Sequence, residues 1–422
     1  MINLQEKTWV IIGDLIDSRN IKNRKKTQQN LNFVLEKVNK KYCELILVPF
    51  KITLGDEFVG VLNSYHIILD LMQYLDSQLE DIQIRYGIGY GKFESPYKGK
   101  GYKQALLAVE TAKKKKFRVH LSAHKEDGRL YILLNIILHL YFHILSNYNS
   151  RQKYILYQLI EGKTQQEIAR QIGSSQSSIS QSLDRINWHL LLKVHDSFKQ
   201  LAELSMITQP INNWGDYIAI IGALPVKLLN ESVFINLLNF INLNYRDIIK
   251  ARFTLTSLSP EDEDYYEFQS LLYNKGKYLF DFFHLLIDLF ILIDDLHLGL
   301  GIGRISTEFN EQAIGMDGNS FYRARESVSR SLSENMPLYI KTDDNSRDWI
   351  YSLLFRLFFE FVRRWSFKQF AVIRFKEDKL IQNKIREKMK LKSQSTVAKH
   401  LKTAGWQEYN YIINNIVKFL DK

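Results

Sequence analysis

Hydrophobic and polar positions recur along the chain as short apolar runs and longer amphipathic stretches. Residues 9–12 form an apolar strand that ends at Gly13-Asp14, and a basic stretch with helical period follows at about 24–42. Residues 51–62 contain two apolar strands around a tight turn at Gly55-Asp56, which predicts a hairpin. A helix at about 65–79, a strand at 82–91 and a helix at 101–116 complete the order. This order predicts an α/β sandwich with a mainly antiparallel sheet.

The second half of the chain repeats this order. Residues 9–15 return at 217–225, residues 85–93 at 297–305, and residues 176–183 at 394–401, always with a slowly growing offset. In the helix after the glycine-rich strand, Ala108-Val109-Glu110 aligns with Ala324-Arg325-Glu326. We infer a tandem duplication, joined by a linker near 205–216 that is rich in Pro, Asn and Gly.

Each repeat ends in a predicted all-α tail. In the first tail, helices at 151–160, 164–171 and 176–188 are joined by tight turns, and Thr164 and Glu167 have the spacing of a capping box. The spacing is typical of a helix-turn-helix that enters the DNA major groove. The side chains left for double-stranded DNA are Ser175, Gln176, Ser178 and Gln181.

The second tail, with helices at 381–389 and 394–404, is more basic and lacks a glycine in its turn. Gln394 and Lys399 are its candidate DNA contacts. The alternative for both tails is that they only pack or dimerise. The predicted domains are therefore residues 1–125, 126–204, 217–345 and 346–422, and the fold class is α+β.

Composition narrows the setting. The net charge is +11, which favours a polyanionic partner such as nucleic acid or nucleotide phosphate. Cys43 is the one cysteine, which suits a reducing cytoplasm. The most hydrophobic stretches, 130–145, 278–293 and 349–361, all carry charged residues or histidines, so we expect buried helices and no membrane partner. Residues 1–14 have no long apolar run followed by a small-residue cleavage site, so we expect no signal peptide.

Two carboxylates are the strongest candidates for chemistry. Asp14 ends one predicted strand and Asp56 lies at the hairpin tip, so both reach one edge of the sheet if their strands are neighbours. Such a pair can bind Mg²⁺ or Mn²⁺ that bridges nucleotide phosphates, with Asp17 and Glu57 assisting. Phosphate contacts are expected from Gly55 and from the residues after the first strand, namely Leu15, Ile16, Ser18 and Arg19.

Residues 13–19 (GDLIDSR), 54–58 (LGDEF) and 84–91 (IRYGIGYG) together resemble the palm core of class III nucleotide cyclases, GGDEF diguanylate cyclases and minimal CRISPR polymerases. Across the whole chain the closest resemblance is to the SatD family. It implies two ferredoxin-like (nucleotide-cyclase palm) domains, each followed by a helix-turn-helix domain. The resemblance to the cyclase, GGDEF and CRISPR polymerase palms, in which a strand-end and a hairpin aspartate bind two metals, implies that Asp14 and Asp56 are catalytic metal ligands. The missing first glycine of GGDEF argues against cyclic-di-GMP synthesis, and Ile52 leaves the base preference unreadable.

The second palm departs further, because Ala223 replaces Asp14 and its hairpin region, 254–272, has no Gly-Asp. Its acidic run 261–264 is expected to be a solvated loop. Asn319 and Arg323 have the Asn-x-x-x-Arg spacing that class III cyclases with unequal halves contribute from the other half. They can complete the nucleotide site of an intramolecular pseudo-dimer, or they can simply be surface residues.

Three hypotheses follow. The leading one is a cytoplasmic regulatory protein that binds a metal and a nucleoside triphosphate or signalling nucleotide, with DNA-binding tails. The second is an active nucleotidyl cyclase or oligonucleotide synthetase that uses two metals at Asp14 and Asp56. The third is a DNA-binding regulator whose palms are dimerising scaffolds.

Overall fold

The computed structural model describes residues 7–16, 23–53, 55–79, 82–95, 98–124, 128–201, 217–259 and 262–421. The chain divides into two compact halves, Met1–Thr208 and Gln209–Lys422. Each half contains an α/β sandwich followed by helices, which we call its tail. This tandem α+β layout confirms the predicted fold class.

The first sandwich has the order strand, helix, hairpin, helix, strand, helix, strand. Its elements are β1 (Lys7–Leu15), α1 (Arg24–Lys41), β2 (Ile46–Ile52), β3 (Glu57–Leu62), α2 (Ile68–Gln78), β4 (Ile84–Ser95), β5 (Lys98–Gly99), α3 (Lys100–Lys115) and β6 (Val119–Ser122). The sheet order is β2-β3-β1-β4-β5, and β6 pairs with β4. β1 lies antiparallel to both β3 and β4, whereas β6 runs parallel to β4. The first four long strands therefore have the split topology of a ferredoxin-like fold.

Alternation along the central strands builds the core between the sheet and α3. Val10 and Ile12 of β1 and Val61 of β3 lie on the same face as Ala105 and Val109 of α3, and all five are buried. The period of two in the strands and of four in the helix puts these residues in contact.

The glycines of β4 allow α3 to approach the sheet closely. A Cβ atom at Gly87 would lie 2.5 Å from the backbone nitrogen of Val109, and one at Gly89 would lie 2.2 Å from the backbone nitrogen of Ala105. Real Cβ atoms do not come this close to backbone atoms. Close helix packing therefore explains the alternate glycines, and a dinucleotide-binding loop is not needed to explain them.

The second sandwich repeats the first. Its elements are β7 (Tyr217–Pro225), α9 (Glu231–Asn244), β8 (Ile249–Ser259), β9 (Asp262–Tyr273), α10 (Leu279–Leu292), β10 (His297–Gly303), α11 (Asn319–Ser333) and β11 (Leu338–Lys341). The sheet order β11-β10-β7-β9-β8 matches the first sheet. The predicted loop at 261–264 is wrong in part, because β9 already begins at Asp262.

The glycine contacts also correct the predicted alignment of the two helices. Gly87 packs on Ala105 and Val109, whereas the matching Gly299 packs on Ala324 and Val328. Ala324 therefore corresponds to Ala105 and not to Ala108, so the predicted alignment is wrong by almost one helical turn. The prediction relied on sequence similarity between the two three-residue segments, whereas the contact of the helix with the strand depends on small residues spaced four apart.

The tails are all-helical, as predicted. The first contains α4 (Gly128–Ser146), α5 (Ser150–Ile160), α6 (Gln165–Gln171), α7 (Gln176–Asp184) and α8 (Trp188–Gln200). The second contains α12 (Asn345–Val362), α13 (Phe367–Glu377), α14 (Gln382–Lys388), α15 (Gln394–Thr403) and α16 (Trp406–Asp421). Thr164 caps α6 in a capping box with Glu167, which confirms that prediction. By length and composition α4 could cross a membrane, but 72% of its apolar window is buried inside the protein, as in a core helix.

Candidate functional site

A layer of charged side chains lies at one end of the hydrophobic core, on the face of the first sheet that packs against α3. Asp14 follows Val10 and Ile12 on β1, and in the sheet it lies between Glu57 of β3 and Arg85 of β4. The strand period of two turns all three charged residues toward the α3 face. β1 ends at Leu15, one residue later than predicted, because pairing with β4 continues to Leu15 whereas pairing with β3 ends at Asp14 and Glu57.

Lys113 of α3 contacts this layer from the helix side of the sheet. It lies four residues after Val109 on α3, so it follows the same helix face out of the core. Its Nζ is 3.0 Å from Asp14 Oδ1 and 3.2 Å from Glu57 Oε1, while Arg85 Nη1 is 3.2 Å from Asp14 Oδ2. Both oxygens of Asp14 therefore face a cation, and the Asp14 side chain is only 10% exposed.

The charges of this layer shift the pKa of Lys113. Burial alone would lower it, but the hydrogen bonds and charges of Asp14 and then Glu57 outweigh burial and raise the pKa above its ordinary value. Lys113 is therefore held protonated as a fixed counter-ion. We call Asp14, Asp56, Glu57, Arg85 and Lys113 the carboxylate edge.

Asp56 lies at the hairpin tip between β2 and β3, beside this layer. Its backbone oxygen accepts a hydrogen bond from the backbone N–H of Leu15, at 3.4 Å. Gly55, just before it, has φ +63°, a conformation that L side chains rarely adopt. The carbonyl of Gly55 accepts a 2.6 Å hydrogen bond from Gln28, so the first turns of α1 hold the tip in place.

The other residues predicted to bind nucleotide have different outcomes. The N–H of Leu15 bonds to Asp56, and the N–H of Ile16 donates to the carbonyl of Gln83 at 2.7 Å, so both amides already have protein acceptors. Their phosphate contacts stay predictions. Asp17, Ser18 and Arg19 lie outside the described residues.

The donor set at the carboxylate edge suits a metal that arrives with phosphate ligands. Among the described residues there is no group of three or more His, Cys, Asp or Glu side chains placed to hold a metal alone. Mg²⁺ in proteins usually takes one or two carboxylates and completes its shell with water and substrate phosphates. Asp14 and Glu57, which share Lys113, are two carboxylates and fit that second arrangement.

In the second half the matching layer has lost the side chains that correspond to Asp14 and Lys113. Ala223 lies between Glu267 and His297 in the sheet, as Asp14 lies between Glu57 and Arg85. Leu332, at the position that matches Lys113, packs against the apolar cluster that contains Ala223. Burial raises the pKa of Glu267, an effect that the charge of Arg325 partly offsets. Only Glu267 keeps a carboxylate here.

Asn319 and Arg323 begin α11, at the end of the second sheet opposite to Ala223. Asn319 is exposed, and Arg323 donates a hydrogen bond to the carbonyl of Ile302 on β10. Arg325 lies 3.9 Å from Asp317. The nucleotide role of Asn319 and Arg323 stays a prediction.

The two tails present similar surfaces. Ser175 caps α7, and Gln176 and Gln181 are exposed while Ile179 and Leu183 are buried. Ser178 accepts a hydrogen bond from Arg151 of α5. On α15, Gln394 and Lys399 are exposed, and Gln394 bonds Gln382 of α14 much as Gln166 of α6 bonds Gln176.

The turns that join these helix pairs are similar as well. Gly173 precedes α7 with φ +61°, and Lys390 takes the same left-handed conformation before α15 with φ +51°. The second tail thus takes the left-handed conformation without a glycine, in a turn that is one residue longer.

Fold and site together define a class: a duplicated α/β sandwich protein with helical tails and one charged sheet edge, found in its first half. The chain belongs to the SatD family, whose model matches residues 9–202 and again 217–415. No curated protein matches it. Among solved structures it is similar to a bacterial light-regulated adenylyl cyclase, at 10% identity over 80% of this chain and 85% of that one; with a TM-score of 0.19, that similarity carries no weight here.

The sequence did not identify Arg85 and Lys113 as the ion-pair partners of Asp14. The signal was present, because Arg85 precedes Gly87 and Gly89 with the same period of two, and Lys113 follows Ala105 and Val109 with a period of four. Both residues are found when the pattern of β4 is continued by two residues and that of α3 by four residues beyond the buried core.

Proposed function

We propose that the first sandwich binds a nucleoside triphosphate or signalling nucleotide with Mg²⁺ or Mn²⁺ at the carboxylate edge. The proposal depends on one observation, the mixed charge of that edge. Asp14 and Glu57 supply the hard oxygen ligands that such metals prefer, and Arg85 and Lys113 lie within 3.2 Å of those carboxylates, where phosphate oxygens would need cations.

We further propose that the protein is a cytoplasmic regulator whose tails contact DNA as helix-turn-helix modules. The support is an exposed polar face on α7 and a basic surface on the second tail, where Lys384, Lys388, Lys392, Lys399 and Lys402 are exposed. Lysines of this kind bind the phosphate backbone, and polar side chains at the start of the second helix reach base edges.

The enzymatic alternative makes the first sandwich a nucleotidyl cyclase or oligonucleotide synthetase. It requires Asp14 to release its cations and share metals with Asp56 during turnover. In either reading the metal must compete with Arg85 and Lys113 for the oxygens of Asp14, so formation of a product is what distinguishes the enzyme from the binding protein.

The test is to incubate the purified protein with each nucleoside triphosphate and Mn²⁺ or Mg²⁺, measuring binding by calorimetry and products by mass. Asp14→Asn and Asp56→Asn should each weaken metal-dependent binding at least about tenfold, because a charged ligand is lost. Asp247→Asn, at an aspartate whose side chain is 83% exposed in the second half, is the control. Unchanged binding in Asp14→Asn would refute the site, and a product lost in that variant would establish the enzyme.

The DNA proposal has its own test. Gln176→Ala combined with Gln181→Ala should weaken binding of the intact protein to duplex DNA, measured by fluorescence anisotropy. If the double variant binds duplexes like the parent, α7 does not contact DNA.

A further inference from the structure

Helix α1 contacts the hairpin tip at its start and the first tail at its end. Near its start, Gln28 donates to the carbonyl of Gly55, and a Cβ at Gly55 would lie 3.3 Å from the Arg24 guanidinium. At its last residue, Lys41 reaches α5. The thirteen positions from Gln28 to Lys41 span about 20 Å of helix.

Lys41 is held by the tail through several contacts at once. Its Nζ lies 2.5 Å from Glu161 Oε2 and 2.6 Å from the hydroxyl of Tyr157. It also lies 5.2 Å from the ring centres of Tyr74 and Tyr157, within the range of cation–π attraction. We call this set the Lys41 latch. The Lys41 and Glu161 side chains are each 31% exposed, so water and ions reach the latch.

The attachment of α8 to α2 differs from the latch in character, because it is a buried network to which Lys199 adds one exposed ion pair, 3.1 Å from Asp70. His195 of α8 bonds Asp70 at 2.8 Å through Nδ1 and Gln73 at 2.8 Å through Nε2, and Tyr141 of α4 bonds both Gln73 and His195. His195 is only 2% exposed. This buried network fixes the tail to α2, whereas the half-exposed latch is the part that a modest free energy can open.

From the latch, contacts continue to the proposed DNA helix. Glu161 is the C-cap of α5, and Arg151 in the first turn of α5 donates to Ser174 Oγ at 2.8 Å and Ser178 Oγ at 3.1 Å. Ser178 belongs to α7. Packed helices and hydrogen bonds therefore connect Gly55 to α7 without a gap.

The second half has neither the latch lysine nor the connection to the tip. Exposed Asn244 stands at the position of Lys41, and the contact with the tail comes from the next residue: Arg374 of α13, which matches Tyr157, donates to the hydroxyl of Tyr245 at 3.2 Å. In addition, α9 begins at Glu231, which matches Gln28, so it lacks the first turn that α1 has at Arg24. The extra turn is thus found in the half that keeps the charged edge.

We propose that α1 couples the two ends: a nucleotide bound with metal at the carboxylate edge draws the first turn of α1 toward its phosphates, opens the Lys41 latch and frees α5 to α7 to move. This regulation rests on the proposed nucleotide site. Because coupling is reciprocal, weakening the latch must strengthen nucleotide binding.

The experiment compares the intact protein with Lys41→Met, using Lys40→Met as the control because Lys40 is an exposed lysine on the same turn. The probes are fluorescent ATP and GTP analogues with Mn²⁺, and hydrogen exchange of backbone amides 150–184. In the parent, we expect the analogue to raise exchange in these amides about fivefold. In Lys41→Met, exchange should already be high, and the analogue should bind about fivefold tighter although Lys41 lies at the far end of α1.

A charge swap keeps the test independent of stability. Lys41→Glu with Glu161→Lys should restore parental nucleotide affinity, which a variant that is merely less stable would not do. Equal affinity in parent and Lys41→Met, with exchange that does not respond to the analogue, overturns the coupling and leaves the nucleotide site standing. No analogue binding by the parent overturns both.

Discussion

Replacing Lys113 by methionine separates the binding of metal from the binding of nucleotide. The Lys113 ammonium lies 3.0 Å from Asp14 and 3.2 Å from Glu57, the oxygens that a divalent cation would need. A metal that binds without phosphate must displace this ammonium, so its affinity is reduced by the strength of those ion pairs. Because the Lys113 side chain is 41% exposed, solvent screens them, and about 1 kcal/mol is a fair total.

One kilocalorie per mole is roughly a fivefold change in affinity. Lys113→Met should therefore bind free Mn²⁺ about fivefold more tightly than the parent, measured by calorimetry or by electron paramagnetic resonance. The effect should shrink as salt is added. Affinity for Mn²⁺ with a nucleoside triphosphate should instead fall, because a phosphate contact is lost.

The control is Lys114→Met, which removes an equal charge from an exposed neighbour. If Lys113→Met leaves Mn²⁺ affinity unchanged or lowers it while Lys114→Met behaves like the parent, Lys113 does not compete with metal. The carboxylate edge would then be a structural ion-pair cluster.

Three further predictions concern stability, each measured by urea unfolding. Lys390→Gly should stabilise the second tail by about 0.5–1 kcal/mol, because the strain relieved at φ +51° exceeds the chain entropy that glycine adds to the unfolded state. Gly173→Lys in the first tail should have the opposite effect. A loss of stability in Lys390→Gly would contradict this reasoning. Gly13→Ala should lower the free energy of unfolding by about 1–3 kcal/mol, because the new Cβ would lie 2.1 Å from the buried Phe58 ring. Adding Phe58→Leu to this variant should recover part of the loss. An alanine variant as stable as the parent would refute the packing account. Burial lowers the pKa of His120 to about 4, so from about pH 6.5 to 5 the unfolded chain takes up a proton that the folded chain does not. The free energy of unfolding should therefore fall as the pH falls, by up to about 1.4 kcal/mol per pH unit. In His120→Asn the free energy of unfolding should depend less steeply on pH, and equal dependence in both proteins would show that His120 does not contribute.

Local patterns made the sheet predictable, and contacts distant in sequence limited the prediction of the site. The alternation around Gly55 and Asp56 predicted the β2–β3 hairpin because neighbouring positions alone decide it. The order of elements also predicted that β1 and β3 are neighbours, and their register pairs Asp14 with Glu57, the residue after Asp56. Neither step needed knowledge of the rest of the chain.

The cations around Asp14 depended on more distant contacts. Arg85 meets Asp14 only because β4 pairs with β1, and Lys113 meets it only because the glycines of β4 let α3 approach. The helix alignment between the halves failed for the same reason, since packing against glycine selects small side chains that a comparison of letters overlooks. Whether the first sandwich binds a metal and a nucleotide, and whether the tails contact DNA, depends on free energies of binding that no local sequence pattern encodes.

The buried network of His195, Asp70, Gln73 and Tyr141 has a practical consequence for dissecting the protein into fragments. A cut between the first sandwich and its tail, near residue 125, would remove His195 and Tyr141 and leave Asp70 and Gln73 without these partners, next to apolar residues of α2. Such a fragment should aggregate when expressed. A cut between the halves, near residue 208, leaves the network whole. The natural piece for crystallisation or labelling is therefore a sandwich with its own tail.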